Sequence, residues 1–522
     1  MAEEKYRAKI KTVAELIEII GQPPRARKKK VIMCHGAFDV VHPGHIRHLM
    51  YAKDKAAILV ASLTCDDHIV KASFRPFVPE QLRALNLAAM DMVDYVIIDA
   101  NQTPLQNLRD IKPDYFAKGY EYVSSGLHPK TKEEKDILDS YGGEIIFTPG
   151  DVVYSSTKLL ETQPPNIGAD KLLSLLQAED LSFDDLRNSL DRIKGLAVHI
   201  VGDTIVDSYT ETAMIGGQTK TPTMSVRYES VRNYVGGAGV VAKHLKAAGA
   251  DVTFTTVLGD DAFKDLVLND LKDYGVTINA IIDPTRPTTH KNAIVCDGYR
   301  LLKIDTLDNR TISDNIQARF HTAIRETPAS CVVFSDFRHG IFNRSTIPGM
   351  VAAIPAGTFR VADSQVASRW GNILEFQEFD LITPNEREAR FALGDQDSVV
   401  RPLALKLYQE AKCKSLILKL GERGLLAYRP RANQQDLRSF FVVDSFAGTV
   451  RDAVGSGDAL LAYATLVEAA TGNSLVAAII GAFAAAAECE YDGNIPVTPQ
   501  DVMKKINRVE RAASFVGDDE DR

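Results

Sequence analysis

Short apolar segments alternate along the chain with longer stretches in which apolar residues recur at helical spacing. In the first part of the chain the short segments are residues 31–34, 57–62, 95–98 and 144–147. Short apolar runs separated by helical patterns are typical of βαβ units, in which helices connect parallel strands. The pattern therefore predicts an α/β fold with a parallel sheet near the N-terminus.

A second series of predicted strands starts near residue 196. Its members are residues 196–201, 252–257, 332–335, 359–362, 381–382 and 416–419. The Pro-, Asn- and Gly-bearing stretch between the two series is typical of a linker. We therefore predict two α/β domains, residues 1–162 and 178–512, joined by a linker over 163–177. We expect the acidic tail over 513–522 to be disordered.

Two further segments predict helices. Residues 12–20 have an amphipathic pattern that Gly21 and the two following prolines end. The longest apolar run, residues 475–487, is too short to span a bilayer and predicts a buried helix. The first residues alternate in charge and have no apolar core of a signal peptide, so we expect a soluble protein of the cytoplasm.

Composition narrows the class of protein. Hydrophobic residues make up 45% and charged residues 25% of the 522 residues, which is typical of a folded globular chain. The net charge of −8 argues against binding to nucleic acid or to a membrane surface, and small molecules are the expected partners. The six cysteines form no CxxC motif, so we expect buried free thiols.

The first predicted strand runs into the sequence His-Gly-Ala-Phe-Asp-Val-Val-His-Pro-Gly-His. Gly36 permits a tight turn, and Pro43 suits the first turn of a helix. His42 and His45 are three residues apart, which puts both imidazoles on one face of that turn. Unpaired N–H groups and the helix dipole favour phosphate there. Two imidazoles can bind the charge that develops on an α-phosphate under in-line attack.

Consecutive hydroxyl residues, Ser155 to Thr157, precede a second helical segment of this domain. Hydroxyls at the start of a helix either cap it or hold phosphate oxygens, and the two histidines favour the second interpretation. On these motifs, residues 30–160 resemble the HxGH nucleotidylyltransferases. They are most similar to the adenylyltransferase domain of the bifunctional heptose-phosphate enzymes of lipopolysaccharide precursor synthesis. Residues 74–83 and 113–122 resemble further segments of that domain.

The resemblance implies a catalytic role for His42 and His45. The nucleotide- and phosphate-binding residues predicted with them are Gly36, Phe38, Arg75, Lys118, Ser155, Ser156 and Thr157. The chain departs from the family at His35, where Asn is usual, and at Ala37, where Cys is usual. Cytidylyltransferases for phospho-alcohols share the HxGH core, so ATP and CTP both stay open as the nucleotide.

A second constellation, Gly455-Ser456-Gly457-Asp458, opens an apolar helical segment. A Gly-Ser-Gly turn at a helix start exposes backbone N–H groups as an anion site. Asp458 is placed to take a proton from a hydroxyl that attacks a γ-phosphoryl group. Alone, the turn is also compatible with an ordinary helix cap.

Other motifs accompany this turn. They are Gly236-Gly237-Ala238-Gly239, the Asn-x-x-Glu pair Asn385 and Glu388, and Lys419-Leu420-Gly421-Glu422-Arg423-Gly424. Their order and spacing resemble the ribokinase-type sugar kinases over residues 195–505, and again the heptose-phosphate enzymes most of all. The resemblance implies a Rossmann-like N-terminal domain and a ribokinase-like C-terminal α/β domain with a small β lid. This domain order is the reverse of the one usual in the heptose-phosphate enzymes.

The kinase resemblance also implies roles for residues. Asp458 is the base, and Gly455, Ser456 and Gly457 form the anion hole. Asn385 and Glu388 organise Mg²⁺ and phosphate, Lys419 and Gly421 bind the nucleotide, and Asp207, Gly236 and Gly237 face the sugar. The acceptor side departs from the family: Val240 stands where Asn is usual, and His339 and Gln365 stand where Lys is usual. Such losses change which phosphorylated sugar binds, and a weak or degenerate kinase is also allowed.

The resemblance implies a bifunctional enzyme of sugar-nucleotide synthesis. It phosphorylates heptose 7-phosphate at C1 and transfers adenylyl from ATP to heptose 1-phosphate, giving ADP-heptose and pyrophosphate. Two alternatives stay open: a cytidylyltransferase for a phospho-polyol or other sugar phosphate fused to a related kinase, or a degenerate kinase domain that regulates the nucleotidylyltransferase. Mg²⁺ is the expected cofactor and ATP the substrate, with no metal strongly implied by direct protein ligands. A homo-oligomer is expected by resemblance.

Overall fold

The computed structural model describes most of the chain. The described residues are 2–21, 29–41, 43–69, 76–119, 129–148, 168–217, 224–365, 372–428, 439–448, 450–491, 493 and 495–513. The chain divides into two compact units, Met1–Leu175 and Leu176–Arg522. The predicted linker is described only from Gly168, where a helix begins, and residues 514–522 of the predicted tail lie outside the described residues. The bounds predicted for the domains, 1–162 and 178–512, stay a prediction.

The described residues of the first unit contain a five-stranded parallel sheet of order β3-β2-β1-β4-β5. Its strands are β1 (Val31–Gly36), β2 (Ile58–Thr64), β3 (Tyr95–Asp99), β4 (Tyr115–Gly119) and β5 (Glu144–Thr148). The hydrophobic pattern predicted all of these except β4. Only Phe116 and Ala117 of β4 are buried, so its apolar run is too short to stand out from its surroundings.

Helices flank the sheet of the first unit. They are α1 (Ala2–Arg7), α2 (Val13–Ile20), α3 (Pro43–Lys53), α4 (Glu80–Ala88), α5 (Leu105–Ile111) and α6 (Pro129–Tyr141). A further helix, α7 (Gly168–Ala178), crosses the boundary between the two units at residues 175 and 176. The predicted helix over 12–20 is confirmed, and Thr12 caps it in a reciprocal capping box with Glu15. Helix α3 begins at Pro43, the residue expected in a first helical turn.

The second unit is built around a large sheet of order β10-β9-β6-β13-β14-β15-β16-β17-β18 in the described residues. Its strands are β6 (Ala197–Gly202), β9 (Asp251–Leu258), β10 (Thr277–Ile282), β13 (Cys331–Asp336), β14 (Phe359–Ser364), β15 (Leu381–Ile382), β16 (Ser415–Lys419), β17 (Leu425–Tyr428) and β18 (Phe440–Val443). The strands pair in parallel from β10 to β16, and β17 and β18 add an antiparallel edge. Each of the six strands predicted here is present.

A separate small sheet of order β12-β11-β7-β8 completes the strands described in this unit. Its strands are β7 (Thr204–Gly217), β8 (Met224–Gly237), β11 (His290–Cys296) and β12 (Tyr299–Thr306). Strand β7 pairs antiparallel with β8 and parallel with β11. We call this sheet the lid, and its presence confirms the predicted α/β architecture with a small β lid.

The described residues of the second unit also contain helices. They are α8 (Phe183–Arg192), α9 (Ala238–Ala247), α10 (Ala262–Asp273), α11 (Asp314–Glu326), α12 (Ile347–Ala353), α13 (Glu386–Leu393), α14 (Val400–Ala411), α15 (Ser456–Thr471), α16 (Ser474–Glu488) and α17 (Pro499–Ala513). The predicted buried helix is α16, which is buried along almost its whole length. Among the helices that the structure describes, none has the length and hydropathy needed to cross a membrane.

All six cysteines lie in described residues and carry free thiols, and five of them are buried. The expectation of buried free thiols is therefore confirmed for all but Cys489, which is half-buried. Desolvation raises the pKa of the Cys413 thiol to about 12, which keeps it protonated and unreactive.

Four phenylalanines form the centre of the core beside β13. Phe334 lies 5.2 Å from Phe342 and 5.8 Å from Phe379 between ring centroids, and Phe376 lies 5.7 Å from Phe379. All four are almost completely buried. Their rings meet at tilted or edge-to-face angles, the arrangement that aromatic quadrupoles favour.

We expect Phe379→Ala to lower the free energy of unfolding of this unit by about 3–5 kcal/mol, because it removes a buried ring and leaves a cavity. Urea denaturation followed by circular dichroism measures the loss. Phe391→Ala is the control, since Phe391 is 37% exposed and should cost about 1 kcal/mol or less. Equal losses for the two variants would contradict the assignment of this core.

Candidate functional site

The loop after β1 carries the first candidate site. Gly36 ends β1, and a Cβ there would lie 3.3 Å from the ring of Phe38. Phe38 has a left-handed backbone with φ of 45°, and its ring lies 5.1 Å from the ring of His45 between centroids. His45 lies in the first turn of α3. The structure thus brings Gly36, Phe38 and His45 together at the start of one helix, as their shared motif predicts.

Two side chains that the sequence analysis did not single out hold this loop. The buried Asp39 carboxylate accepts the backbone N–H groups of Phe77 and Val78, each at 2.8 Å. The buried Arg83 guanidinium donates to the carbonyl of Ala37. Both residues are charged and lie within sequence segments that resemble the nucleotidylyltransferases. Their position in those segments is the sequence signal that could have identified them.

Lys118 lies on β4, next to the strand that carries the loop. Its ammonium donates to Thr131 Oγ1 at 3.1 Å and forms an ion pair with Glu134. Burial, together with the positive charge of Lys118, lowers the pKa of His35 to about 4. The Lys118 charge therefore acts at the end of β1, on the residue that departs from the family pattern.

The remaining residues predicted for this site lie outside the described part of the chain. They are His42, Arg75, Ser155, Ser156 and Thr157. Their roles stay predictions.

The second candidate site lies at the start of α15. Gly455 caps this helix with a left-handed φ of 96°, a conformation that favours glycine. Ser456, Gly457 and Asp458 form the first turn, and the Ser456 hydroxyl donates to the carbonyl of Ala453 at 2.9 Å. The turn predicted from the Gly-Ser-Gly-Asp motif is therefore a helix start with Asp458 in its first turn.

Asp458 is surrounded mainly by other carboxylates. Burial and then the negative charge of Asp363 raise the pKa of Asp458 to about 7. Lys419 offsets part of this rise, whereas Asp207 and Glu388 add to it. Asp207 belongs to the lid and Lys419 to the large sheet, so charges from both sides act on this one carboxyl.

Lys419 is the last residue of β16, and its ammonium lies near the turn that carries Asp458. Its Nζ lies 2.8 Å from Asp363 Oδ1, and a Cβ on Gly457 would lie 3.5 Å from that Nζ. Burial opposes the charge on Lys419, but Asp363 and Glu388 outweigh burial and raise its pKa. A permanent positive charge therefore stands beside the Gly-Ser-Gly turn. Asp363 was missed by the sequence analysis, although it directly follows a predicted strand.

Asn385 and Glu388 form a reciprocal capping box at the start of α13. Asn385 Oδ1 accepts the Glu388 N–H at 2.8 Å, and Glu388 Oε2 accepts the Asn385 N–H at 2.8 Å. The Lys419 N–H donates to Pro384 at 2.8 Å, which ties this cap to the end of β16. The motif thus caps the helix. The Glu388 charge also raises the pKa values of both Lys419 and Asp458. Gly421, with φ of 64°, begins the turn after β16.

The predicted sugar-facing residues meet where the lid joins the large sheet. A Cβ on Gly236 would lie 2.1 Å from Asp207 Oδ2, so any other residue there would displace this carboxylate. Gly237 has φ of 62°, and a Cβ there would lie 2.5 Å from the carbonyl of Asp203. The two glycines therefore let β8 pass close to β7 and turn into α9.

The lid also brings two lysines to this side, which the sequence analysis did not predict. Burial and then the charge of Lys303 lower the pKa of Lys291, while Asp207 opposes the change. The Lys291 ammonium makes no hydrogen bond or ion pair within the residues that the structure describes. Two cations thus stand near Asp207, although His339 and Gln365 replace the lysines usual in the family. Val240 is buried in α9.

Two family models match the chain. The model described as pfkB family carbohydrate kinase matches residues 197–499, and the one described as cytidylyltransferase-like matches residues 33–162. The predicted order, nucleotidylyltransferase first and kinase second, is confirmed.

Curated relatives match one or both parts. The chain is 38% identical over 140 residues to "Bifunctional protein HldE" of Geobacter metallireducens, covering 26% of this chain and 27% of the relative. It is 28% identical over 335 residues to "Bifunctional protein HldE" of Rhodopseudomonas palustris, covering 62% of this chain and 65% of the relative. Each match thus spans less than two thirds of the relative's length.

Solved structures resemble the second unit. Phosphofructokinase-2 from Escherichia coli, solved in complex with potassium, matches with a TM-score of 0.50 and 17% identity, covering 61% of this chain and 100% of that one. This likeness concerns the fold alone. The pfkB model covers more than half of the 522 residues and contains the turn with Asp458. The chain therefore belongs to the pfkB family of carbohydrate kinases, with a cytidylyltransferase-like part at its N-terminal end.

Proposed function

We propose that the second unit transfers the γ-phosphoryl group of ATP to the C1 hydroxyl of heptose 7-phosphate. The observation that carries this proposal is the position of Asp458 between lid charges and the Lys419 ammonium. A hydroxyl held at Asp207 on one side and a γ-phosphate held at the Gly455–Gly457 turn on the other would both reach Asp458. A kinase base needs that juxtaposition.

The residues of this site have different roles in the proposed reaction. Asp458 accepts the proton of the attacking C1 hydroxyl while the new oxygen–phosphorus bond forms and ADP leaves. The N–H groups at the start of α15 and the Lys419 ammonium stabilise negative charge on the transferred group. Because burial and the neighbouring carboxylates raise the pKa of Asp458 to about 7, the base titrates near neutral pH, where a general base is effective.

We propose Mg²⁺ as the cofactor of both reactions, bound together with the triphosphate. Among the described residues there is no group of three or more metal-ligating side chains. The carboxylate of Glu388, whose charge acts on Lys419 and Asp458, is the protein group that fits such an ion, with Asn385 beside it. When bound, Mg²⁺ neutralises phosphate charge.

The acceptor carries a phosphate that Lys291 and Lys303 bind. Burial, and then the positive charge of Lys303 close by, lower the pKa of Lys291. Two neighbouring ammonium groups repel each other, and a dianionic phosphate between them removes that repulsion. This arrangement favours a phosphorylated sugar over a neutral one.

We propose that the first unit joins heptose 1-phosphate to the adenylyl group of ATP and releases pyrophosphate. Gly36, Phe38 and His45 stand together at the start of α3, where backbone N–H groups favour phosphate. His42, Arg75, Lys118 and Ser155 to Thr157 complete the proposed nucleotide site. The cytidylyltransferase-like match favours CTP as the alternative nucleotide, with a phospho-polyol as its partner.

We further propose that the protein is cytoplasmic and forms a homo-oligomer, and the exposed apolar residues of the lid support the oligomer. Leu302 is 55% and Ile304 is 48% exposed on β12. They are two residues apart, so both lie on the sheet face opposite to Lys303. A second copy of the lid would bury this face without covering the site.

The proposed reactions are tested by offering the full chain Mg²⁺ and ATP with heptose 7-phosphate or heptose 1-phosphate, and identifying the products by mass spectrometry. We expect a heptose bisphosphate from the first and ADP-heptose from the second. Asp458→Asn should lower bisphosphate formation at least about thousandfold and leave ADP-heptose formation unchanged. Bisphosphate formation that survives the substitution would contradict the role of Asp458. CTP consumption in place of ATP would favour the phospho-polyol alternative.

The proposed oligomer is tested by light scattering after gel filtration. Replacing Leu302 and Ile304 together by Glu should convert a dimer or larger assembly into monomers, because buried charges oppose association. Val442→Glu is the control, since Val442 is 43% exposed on β18, outside the lid. A wild-type chain that is monomeric at micromolar concentration would rule the proposal out.

A further inference from the structure

His339 is fixed at the acceptor side by its own backbone. It lies in the turn after β13, and its N–H donates to Asp203 Oδ2 at 3.2 Å. The same oxygen accepts the Phe337 N–H at 2.9 Å. The carbonyl of His339 accepts from Arg286 Nη1 at 3.4 Å. The backbone of His339 is therefore held in this turn at both its N–H and its carbonyl.

The ring carries its proton on Nδ1. His339 Nδ1 lies 2.8 Å from Asn309 Oδ1, and an amide oxygen only accepts hydrogen bonds. Burial, followed by the charges of Lys291 and Lys303, lowers the pKa of His339 to about 4. The imidazole is therefore neutral at physiological pH, and its Nε2 presents a lone pair.

That lone pair is buried and unpaired. The side chain is only 4% exposed, and within the described residues Nε2 has no hydrogen-bond partner. Buried polar atoms normally find a partner, because desolvation without one costs free energy. The missing partner must be a donor. A phosphate oxygen would place a second lone pair against Nε2, whereas a sugar hydroxyl would donate to it.

We infer that His339 is a specificity-determining residue whose Nε2 accepts a hydrogen bond from one hydroxyl of the acceptor sugar. The inference rests on the proposed kinase function and deepens it. Recognition is divided: Lys291 and Lys303 of the lid bind the phosphate, and the neutral imidazole selects a hydroxyl. A lysine at this position could not accept a hydrogen bond, so this chain selects among sugars differently from relatives that carry one.

A double-mutant-cycle design tests the inference in the full chain. Monodeoxy analogues of heptose 7-phosphate are compared with the parent compound, using wild type and His339→Leu. In wild type, we expect removal of one particular hydroxyl to lower kcat/KM about tenfold to hundredfold. In His339→Leu, that analogue and the parent should react equally well. His339→Gln should restore part of the preference, because its amide oxygen accepts hydrogen bonds.

A matched control separates specificity from folding. His321 on α11 also has a buried Nε2 without a partner among the described residues, but it contacts Gly349 of α12 and lies outside the site. His321→Leu should leave the ratios between analogues unchanged, and neither substitution should change the KM for ATP. Analogue ratios that are the same in wild type and His339→Leu would overturn the inference, because a structural role affects all acceptors alike.

A binding measurement distinguishes failure of the proposed kinase reaction from failure of the role inferred for His339. If heptose 7-phosphate binds by calorimetry but is not phosphorylated, only the reaction is wrong, and the ¹⁵N resonance of His339 Nε2 decides the inference. We expect saturating heptose 7-phosphate to shift this resonance in wild type. An unchanged resonance at saturation would overturn the assignment of His339, and absence of binding would overturn both proposals.

Discussion

The ion pair between Lys419 and Asp363 is the interaction on which the kinase site depends. It holds one ammonium beside the Gly-Ser-Gly turn in a region that otherwise gathers carboxylates, namely Asp458, Glu388 and Asp207. Without this cation, a half-buried cluster of negative charge would repel a triphosphate as well as itself. With it, Asp458 has a pKa near neutrality, and the turn can receive an anion.

On the acceptor side the proportions are reversed, because one carboxylate lies near two cations. Asp207 is the carboxylate there, and Lys291 and Lys303 come from the lid. Gly236, which has no Cβ, leaves space for this carboxylate where the lid meets the large sheet. The lid therefore brings both the acid and the cations that we propose to bind the hydroxyl and the phosphate of the acceptor. On this proposal, the acceptor site stays cationic although His339 and Gln365 replace lysines.

Local motifs could be predicted from the sequence, and long-range pairings could not. The turn at Gly455 to Asp458 and the cap at Asn385 are each encoded within a few consecutive residues, so their geometry follows from their spacing. The pair of Lys419 with Asp363 joins residues 56 positions apart, and only the parallel order of β14, β15 and β16 brings them together. Strand β4 was not predicted because only two of its residues, Phe116 and Ala117, are buried. Its pairing with β1 is a long-range contact that a local sequence pattern does not contain. The roles of His42 and of the hydroxyls at 155–157 stay predictions.

The most direct measurement is the pH dependence of kcat/KM for heptose 7-phosphate in wild type and in Lys419→Met. The base must be ionised to accept a proton, so the wild-type rate should rise tenfold per pH unit and level off above pH of about 7. Loss of the Lys419 cation should move this bend to higher pH, because that charge lowers the pKa of Asp458. A bend at the same pH in both proteins, or a flat profile between pH of about 6 and 9, would contradict the account.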